Sequence, residues 1–358
     1  MEKKVKRILH IVGTMNMGGQ ETFIMNLYRK IDRSKIQFDF VVHSKEVQFY
    51  EKEIKELGGK IYKIDSMSKN IFLHMKNLYR IIKENNYHII HRHTNSSIIW
   101  FDLLVAKIAK VRRIIVHSHS SSSKYRIINK IFQGMMNMLT DVRLACSQEA
   151  GEWLYGKKKF EIIPNGIDFE KYKFDLEKRK LLRNKMKLEG KFVIGHIGRF
   201  SYEKNQAFLI DVFRKIKNKN ADAKLVLTGD GEEKDAIQKK AKEYGINEDI
   251  HFLGNVNNVF ELINVFDVFV FPSIYEGLPL TLLEVQANGL NAVISSQISN
   301  EVILTDLIQK IPLDIIDEWI STIMQRRRGE NLEKYNDIML KSKFNIDYVI
   351  CRMKKIYK

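Results

Sequence analysis

Short apolar runs recur along the chain and alternate with longer stretches of helical period. The first is "RILHIVG", Arg7–Gly13, followed by a helical pattern over Glu21–Ile31. Next come "FDFVVH" (Phe38–His43), "KIYKI" (Lys60–Ile64), "HIIHRH" (His88–His93), "RIIVHSH" (Arg113–His119), "VRLACS" (Val142–Ser147) and "FEIIPNG" (Phe160–Gly166). Apolar runs of this length bounded by polar turns read as buried strands, and helical patterns between them imply a parallel sheet. After Asp168 the pattern turns charged and irregular: "FEKYKFDLEKRKLLRNKMKLEGK". A second series then begins with "FVIGHIGR" (Phe192–Arg199) and continues through "KLVLTGDG", "IHFLGNV", "VFVFPS" and "NAVISS". Each series opens with a strand, a glycine-containing loop and a helix. The expectation is an α/β protein with two Rossmann-like, doubly wound parallel-sheet domains and a boundary near residues 166–190.

The totals change this picture little. A chain of 358 residues is too long for one ordinary core, which agrees with two domains. Sixty basic against 43 acidic residues give a net charge of +17, which favours an anionic partner: nucleic acid, anionic lipid or a phosphorylated ligand. A nucleic-acid reading would rest on charge alone, without a docking motif or a basic-aromatic platform. Cys146 and Cys351 make neither a disulfide framework nor a metal pattern, which fits a reducing cytoplasm. The apolar run near the N-terminus is too short for a signal peptide, and no stretch approaches the roughly 20 apolar residues of a membrane span. A soluble or peripheral protein is expected.

The loops after strands carry the chemistry. In "GTMNMGGQETF", Gly18 and Gly19 precede a helix whose first-turn N–H groups could receive a phosphate; the alternative is a turn set by packing. The spacing is not that of a nicotinamide or flavin fingerprint. In "GHIGRFSYEKNQ", Arg199 and Lys204 could hold a diphosphate and stabilise it as a leaving group, or be solvated surface cations. "YEGLPLTLLE" follows "VFVFPS". Gly277 would permit an unusual turn, Pro279 suits a helix start, and the N–H groups near Leu280 and Thr281 could meet the same diphosphate. Glu276 and Glu284 would lie on the order of 10 Å apart along a helix, beyond the usual paired-carboxylate separations for glycoside hydrolysis. That suits two ends of one long ligand. His117 and His119 end one strand and His91 and His93 another, placing polar groups that could exchange a proton or bind a hydroxyl. No carboxylate or cysteine completes a ligand pattern, and no Asp-x-Asp is present, so no metal is expected.

Two helical stripes stay open between core packing and an anionic membrane surface. One is "KYRIINKIFQGMMNMLT", with Lys124, Arg126 and Lys130 near one end; the other is "KNIFLHMKNLYRIIK", Lys69–Lys83.

Taken together, "MGGQE", "HSHSSS", "ACSQEAGEWLYG", "IIPNGID", "GHIGRFSYEKNQ", "LTGDGEE" and the Glu276-to-Glu284 spacing, in this order, resemble the retaining glycosyltransferases of family 4. The first half is most similar to the EpsF-like exopolysaccharide and capsule enzymes. The resemblance implies a GT-B fold, with an acceptor-binding domain over residues 1–168 and a donor-binding domain over 169–344, facing across a cleft. It also implies a last helix, about 345–358, that returns to the first domain. Arg199 and Lys204 would bind the donor diphosphate, Glu276 the sugar and Glu284 the ribose. Gly18 and Gly19 would approach the phosphates or the sugar, and His119 would be the active-site histidine. The backbone around Gly254, Asn255 and Val256 would border the base. Gly277, Leu278, Leu280 and Thr281 would complete the donor site. The implied reaction moves a hexose or N-acetylhexosamine from a nucleoside diphosphate sugar, UDP by default, to a growing glycan. Neither metal nor other cofactor is expected. The expected acceptor is linked to polyprenyl diphosphate at the inner membrane face. Two other readings are a sugar-nucleotide epimerase on the same fold and a non-catalytic membrane-associated subunit. The chain departs from the family after "EVQANGL", where Asn291-Ala292-Val293 stands in place of the usual Pro-Val-Ile.

Overall fold

The computed structural model describes residues 5–16, 18–120, 126–256, 258–329 and 332–358. Met17, Ser121–Ser123 and Lys124, named above, lie outside them. The chain divides into two units, Met1–Ile167 with Ile346–Lys358 and Asp168–Asn345. The first unit therefore contains both ends of the chain, and the second is an insertion within it.

In the first unit seven strands pair in parallel: β1 (Lys6–Ile11), β2 (Ile36–Val42), β3 (Ile61–Lys63), β4 (Ile89–Thr94), β5 (Arg113–Ser118), β6 (Val142–Ala145) and β7 (Glu161–Ile162). Their order is β3-β2-β1-β4-β5-β6-β7, so the winding reverses between β1 and β4. Side chains alternate across the sheet. Ile8, Phe38 and Phe40 meet the helix Gly19–Lys30 through Phe23 and Leu27, and the helix Ile346–Ile356 through Val349 and Met353. Leu9, Ile11, Ile90, Ile114 and Val116 point the other way, onto the helices Ile71–Glu84 and Trp100–Ile108. Because both faces are covered, the strands read as mainly apolar runs, interrupted where polar side chains such as Asp39, His91 and His93 are buried.

The second unit holds six parallel strands: β8 (Phe192–Ile197), β9 (Ala223–Thr228), β10 (Ile250–Phe252), β11 (Val268–Phe271), β12 (Ala292–Ser295) and β13 (Ile308–Ile311). The order β10-β9-β8-β11-β12-β13 places the reversal between β8 and β11. Ile194, Leu225, Leu227, Val268 and Val270 pack on the helices Gln206–Lys219 and Ile316–Gln325, with Trp319 fully buried.

Two segments differ from the sequence expectation. The charged stretch after Asp168 is not irregular: Leu176–Lys185 is a helix, capped by the Asp175 side chain, which accepts from the Lys178 N–H at 3.0 Å. Its inward face carries Arg179 and Arg183, which donate to Asp267 and to the carbonyls of Asn264, Val265 and Phe266. A helix docked through guanidinium groups shows no apolar period. β13 was also hidden. It is an edge strand in which Ile308, Gln309 and Lys310 are all half-buried, so it lacks the apolar run of the interior strands.

Candidate active site

In doubly wound sheets ligands bind beyond the carboxyl ends of the strands, where the winding reverses. In the second unit that place lies between the loops after β8 and β11. The loop after β8 turns at Asn205, whose φ of 55° is left-handed and whose side-chain amide donates to the Pro272 carbonyl at 3.2 Å. The Ile274 N–H donates to the Glu203 carbonyl at 2.8 Å. These bonds hold the two loops side by side and bring Lys204 to Glu276, Nζ to Oε1 2.5 Å, with the ammonium 4.8 Å from the centre of the Phe271 ring. Both side chains are largely buried, at 22% and 12% exposure. The helix Leu280–Ala287 starts four residues on, and the N–H groups of Leu280 and Thr281, in its first turn, have no acceptor within the helix. Arg199 lies on the same loop as Lys204 but is exposed; its guanidinium pairs with Glu232 at 2.9 Å.

Glu284, further along that helix, is partly buried and accepts from the Tyr172 hydroxyl at 2.7 Å. Burial pushes its carboxyl up to about 7, opposed by that hydrogen bond, and the Tyr172 hydroxyl is raised by burial and by the adjacent carboxylate. Glu284 is thus poised between its two protonation states at neutral pH. The loops after β9 and β10 border the same strand ends. Thr228 Oγ1 and the Gly229 N–H both donate to the Gly254 carbonyl, at 2.7 and 2.8 Å, so the segment through Asn255 and Val256 is tied to β9. At Gly229 φ is +135°, and a Cβ would overlap the Gly198 carbonyl oxygen, so only glycine fits where these loops cross. Gly277 corrects the sequence reading. It has no positive φ; its surroundings are open, with nothing within 4 Å of a Cβ position. Leu278 is half-buried beside it.

The first unit carries its own constellation at the ends of β1, β4 and β5. A cavity of about 520 Å³ is lined by Gly19, Gln20, Glu21, His93, His119 and Asn165, among others. Gly18 caps the helix Gly19–Lys30 with extended backbone, and the Glu21 carboxylate packs where a Cβ would stand. His119 Nε2 is 2.8 Å from His93 Nδ1, and His93 Nε2 is 2.9 Å from His10 Nδ1. Burial drives His10 and His119 down to about 3, and His91, His93 and His117 well below the usual imidazole range. All five are neutral at pH 7. Beside them Arg92 is buried and donates to Asp102 at 2.8 Å, to the Ile11 carbonyl and to the His93 carbonyl.

Residues 17–171 match the family model described as Glycosyltransferase Family 4, and residues 177–311 match that of glycosyl transferases group 1. EpsF of Bacillus subtilis (strain 168), named for glycosyl transfer, is 35% identical over 344 residues, covering 90% of this chain and 88% of EpsF. The chain belongs to glycosyltransferase family 4. An Escherichia coli member named UDP-Gal:alpha-D-GlcNAc-diphosphoundecaprenol alpha-1,3-galactosyltransferase is 26% identical over 265 residues, covering 69% of this chain and 68% of its own. The solved structure of Anabaena Alr3699/HepE in complex with UDP superposes with a TM-score of 0.77 at 17% identity, covering 98% and 99% of the two chains. The fold of this glycosyltransferase is therefore GT-B.

The sequence reading missed four residues that stand beside its site residues. Tyr172 lies in the segment read as irregular, and no spacing links it to Glu284. Glu21 stood inside a quoted motif without a role. Asn165, whose side-chain oxygen is buried without a partner, likewise stood inside the quoted "IIPNGID" without a role. His10 was the one with a signal. It lies at an interior position of an apolar strand, where β1 pairs it with His91 in register.

Proposed function

We propose that this glycosyltransferase transfers a hexose or N-acetylhexosamine from a nucleoside diphosphate sugar, UDP by default, to a growing exopolysaccharide or capsule glycan, with retention at the anomeric carbon. The observation that carries the donor site is the Lys204–Glu276 pair at the β8–β11 reversal, beside the start of the helix Leu280–Ala287. A diphosphate entering there competes for Lys204 and releases Glu276 toward the sugar hydroxyls. The ammonium, Arg199 and the helix N–H groups then stabilise the departing diphosphate without a metal. In the step, the anomeric carbon–phosphate oxygen bond breaks on the face where the acceptor oxygen bonds, and a phosphate oxygen takes the acceptor proton. The HepE complex with UDP supports the nucleotide class.

The acceptor belongs to the first unit's cavity, with His119 against its hydroxyl. The name of the E. coli relative supports a polyprenyl-diphosphate-linked acceptor. No helix among the described residues is long and apolar enough to cross a membrane, so we assign the contact to a surface. In the helix Arg126–Leu139 the polar Asn129 and Asn137 are buried, while Ile127, Ile131, Met135 and Met138 are exposed. Arg126 and Lys130 flank this outward stripe, and Arg143, Lys157 and Lys158 line a cavity beside Met138. An apolar face ringed by cations suits an anionic bilayer at the cytoplasmic side.

The test is donor turnover by folded Glu276→Ala and Arg199→Ala proteins. Losses of about a hundredfold or more are expected for Glu276→Ala; wild-type rates in both would remove the assignment.

A further inference from the structure

Five histidines of the first unit stack in its sheet as a consequence of register. β1 sets His10 beside His91, and β5 sets His117 beside His93. Residues two apart on a strand share a face, so His91 and His93 point together; His119 follows two residues after His117. The ring centroids of His93, His117 and His119 lie 5.7, 5.1 and 4.2 Å apart, and one nitrogen from each falls within 4.8 Å of the others. No side chain pairs with either buried nitrogen of His117, which has only the Ile163 backbone beside it, and the Asn165 oxygen that lines the cavity above has no partner. Buried polar atoms in this number are normally paired, so the cluster calls for an explanation.

We propose that His93, His117 and His119 form a three-imidazole site for one divalent transition-metal ion of the Zn²⁺ or Co²⁺ class, open on its fourth side to the cavity beneath Glu21 and Asn165.

The donor set supports that class. Imidazole suits Zn²⁺, Co²⁺ and Ni²⁺, whereas Mg²⁺ requires oxygen ligands. Three histidines with an open position also match a known arrangement of zinc. Tetrahedral bonds of about 2.0–2.1 Å separate ligand nitrogens by about 3.4 Å. His93 Nδ1 and His119 Nε2, now 2.8 Å apart around a shared proton, therefore need to part by about 0.6 Å to admit the ion. The tautomers close without proton release. His93 moves its proton to Nε2 and donates to His10 Nδ1, which fixes the His93 ring from behind. His119 keeps its proton on Nδ1, and His10 carries its own on Nε2. The charge of Arg92 close by is balanced by Asp102. The ion binds whether or not the proposed reaction occurs at this cavity. One consequence rests on that reading: an ion on His119 occupies the acceptor cavity and inhibits transfer.

The experiment is titration of the full chain, purified without a polyhistidine tag and stripped with chelator, with Co²⁺ followed by its visible d–d spectrum and with Zn²⁺ by equilibrium dialysis. One ion per chain and a tetrahedral cobalt spectrum are expected, with Mg²⁺ giving neither. His117→Ala should lose more affinity than the roughly 10–100-fold that removal of an outer-shell partner costs. His91→Phe, outside the proposed set, should retain the site. Loss of binding in His91→Phe but not in His117→Ala would move the ion to the His10–His91–His93 triad and overturn the assignment. Absence of a one-to-one site in wild type would overturn it outright. If His117→Ala fails to fold, His119→Gln at the cavity edge reads the same affinity. Inhibition by Zn²⁺ at the stoichiometry of binding tests the consequence separately; binding without inhibition would remove the acceptor assignment and leave the metal site.

Discussion

Tyr172→Phe removes one hydroxyl and leaves the ring, so it isolates the 2.7 Å hydrogen bond to Glu284. A hydrogen bond to a charged group contributes about 1.5–3 kcal/mol. At 1.36 kcal/mol per pKa unit this is about 1–2 units, all of it favouring the carboxylate. Glu284, already pushed up to about 7 by burial, would then titrate near about 8–9. At pH 7 the ionised fraction falls from about one half to roughly 1–9%. If Glu284 grips the donor ribose as a carboxylate, donor KM at pH 7 rises about 5–50-fold while kcat stays near wild type. The defect should shrink above about pH 9, where both proteins are ionised. The assay is the pH profile of donor KM and kcat between pH 5.5 and 9.5. A donor KM that is unchanged at pH 7, or a defect that persists undiminished at high pH, would refute the reasoning.

Other outcomes follow from the same geometry. The raised Glu284 pKa makes the folded state hold a proton that the unfolded chain releases above about 4.5. Stability from this group is therefore full below pH 4.5 and declines as pH rises to about 7, by about 1–3 kcal/mol after allowance for residual solvent contact. Glu284→Gln should thus melt several degrees above wild type at pH 8 and level with it at pH 4.5, as scanning calorimetry at the two pH values will show. Gly229→Ala forces a Cβ into the Gly198 carbonyl at a φ of +135°, and should cost at least about 2 kcal/mol in denaturant titration together with nucleotide affinity. Ile131→Asp combined with Met138→Asp should abolish co-sedimentation with anionic vesicles and leave the melting temperature nearly unchanged, since both side chains are exposed.

Much of this molecule is legible in its residues because both sheets are covered on both faces. Stretches such as Ile114–Val116 and Val268–Phe271 have no solvent side and stand out as unbroken apolar runs. The loops after β8 and β11 were legible for a related reason: charged and glycine residues directly after such a run have few structural roles. What stayed hidden depends on tertiary partners. The helix Leu176–Lys185 docks through Arg179 and Arg183, which look like surface residues until Asp267 is placed opposite them. The Tyr172–Glu284 bond joins residues 112 positions apart. The exposure of Ile127, Ile131, Met135 and Met138 was undecidable, because a strong apolar stripe has the same period whether it faces a core or a bilayer. The histidine cluster needed register: strand spacing showed two pairs, and only pairing of β1, β4 and β5 joined them with His10.

The helix Ile346–Ile356 gives the molecule an order of assembly. Ile346, Val349, Ile350 and Met353 fill the core of the first unit, Tyr357 donates to or accepts from His91 at 2.8 Å, and the Lys6 ammonium bonds the Tyr357 carbonyl. Burial of those four side chains contributes about 1.5–3 kcal/mol each, which together is comparable to the 5–15 kcal/mol by which a whole domain is stable. During synthesis the first 167 residues therefore emerge without a sealed core, and they wait while residues 168–345 are made. The inserted unit, continuous in sequence, can fold in that interval; the first unit closes only when the last dozen residues arrive. A ribosome that stalls late would leave a finished second unit tethered to an open first one, with the histidine stack of β1, β4 and β5 still exposed on one face.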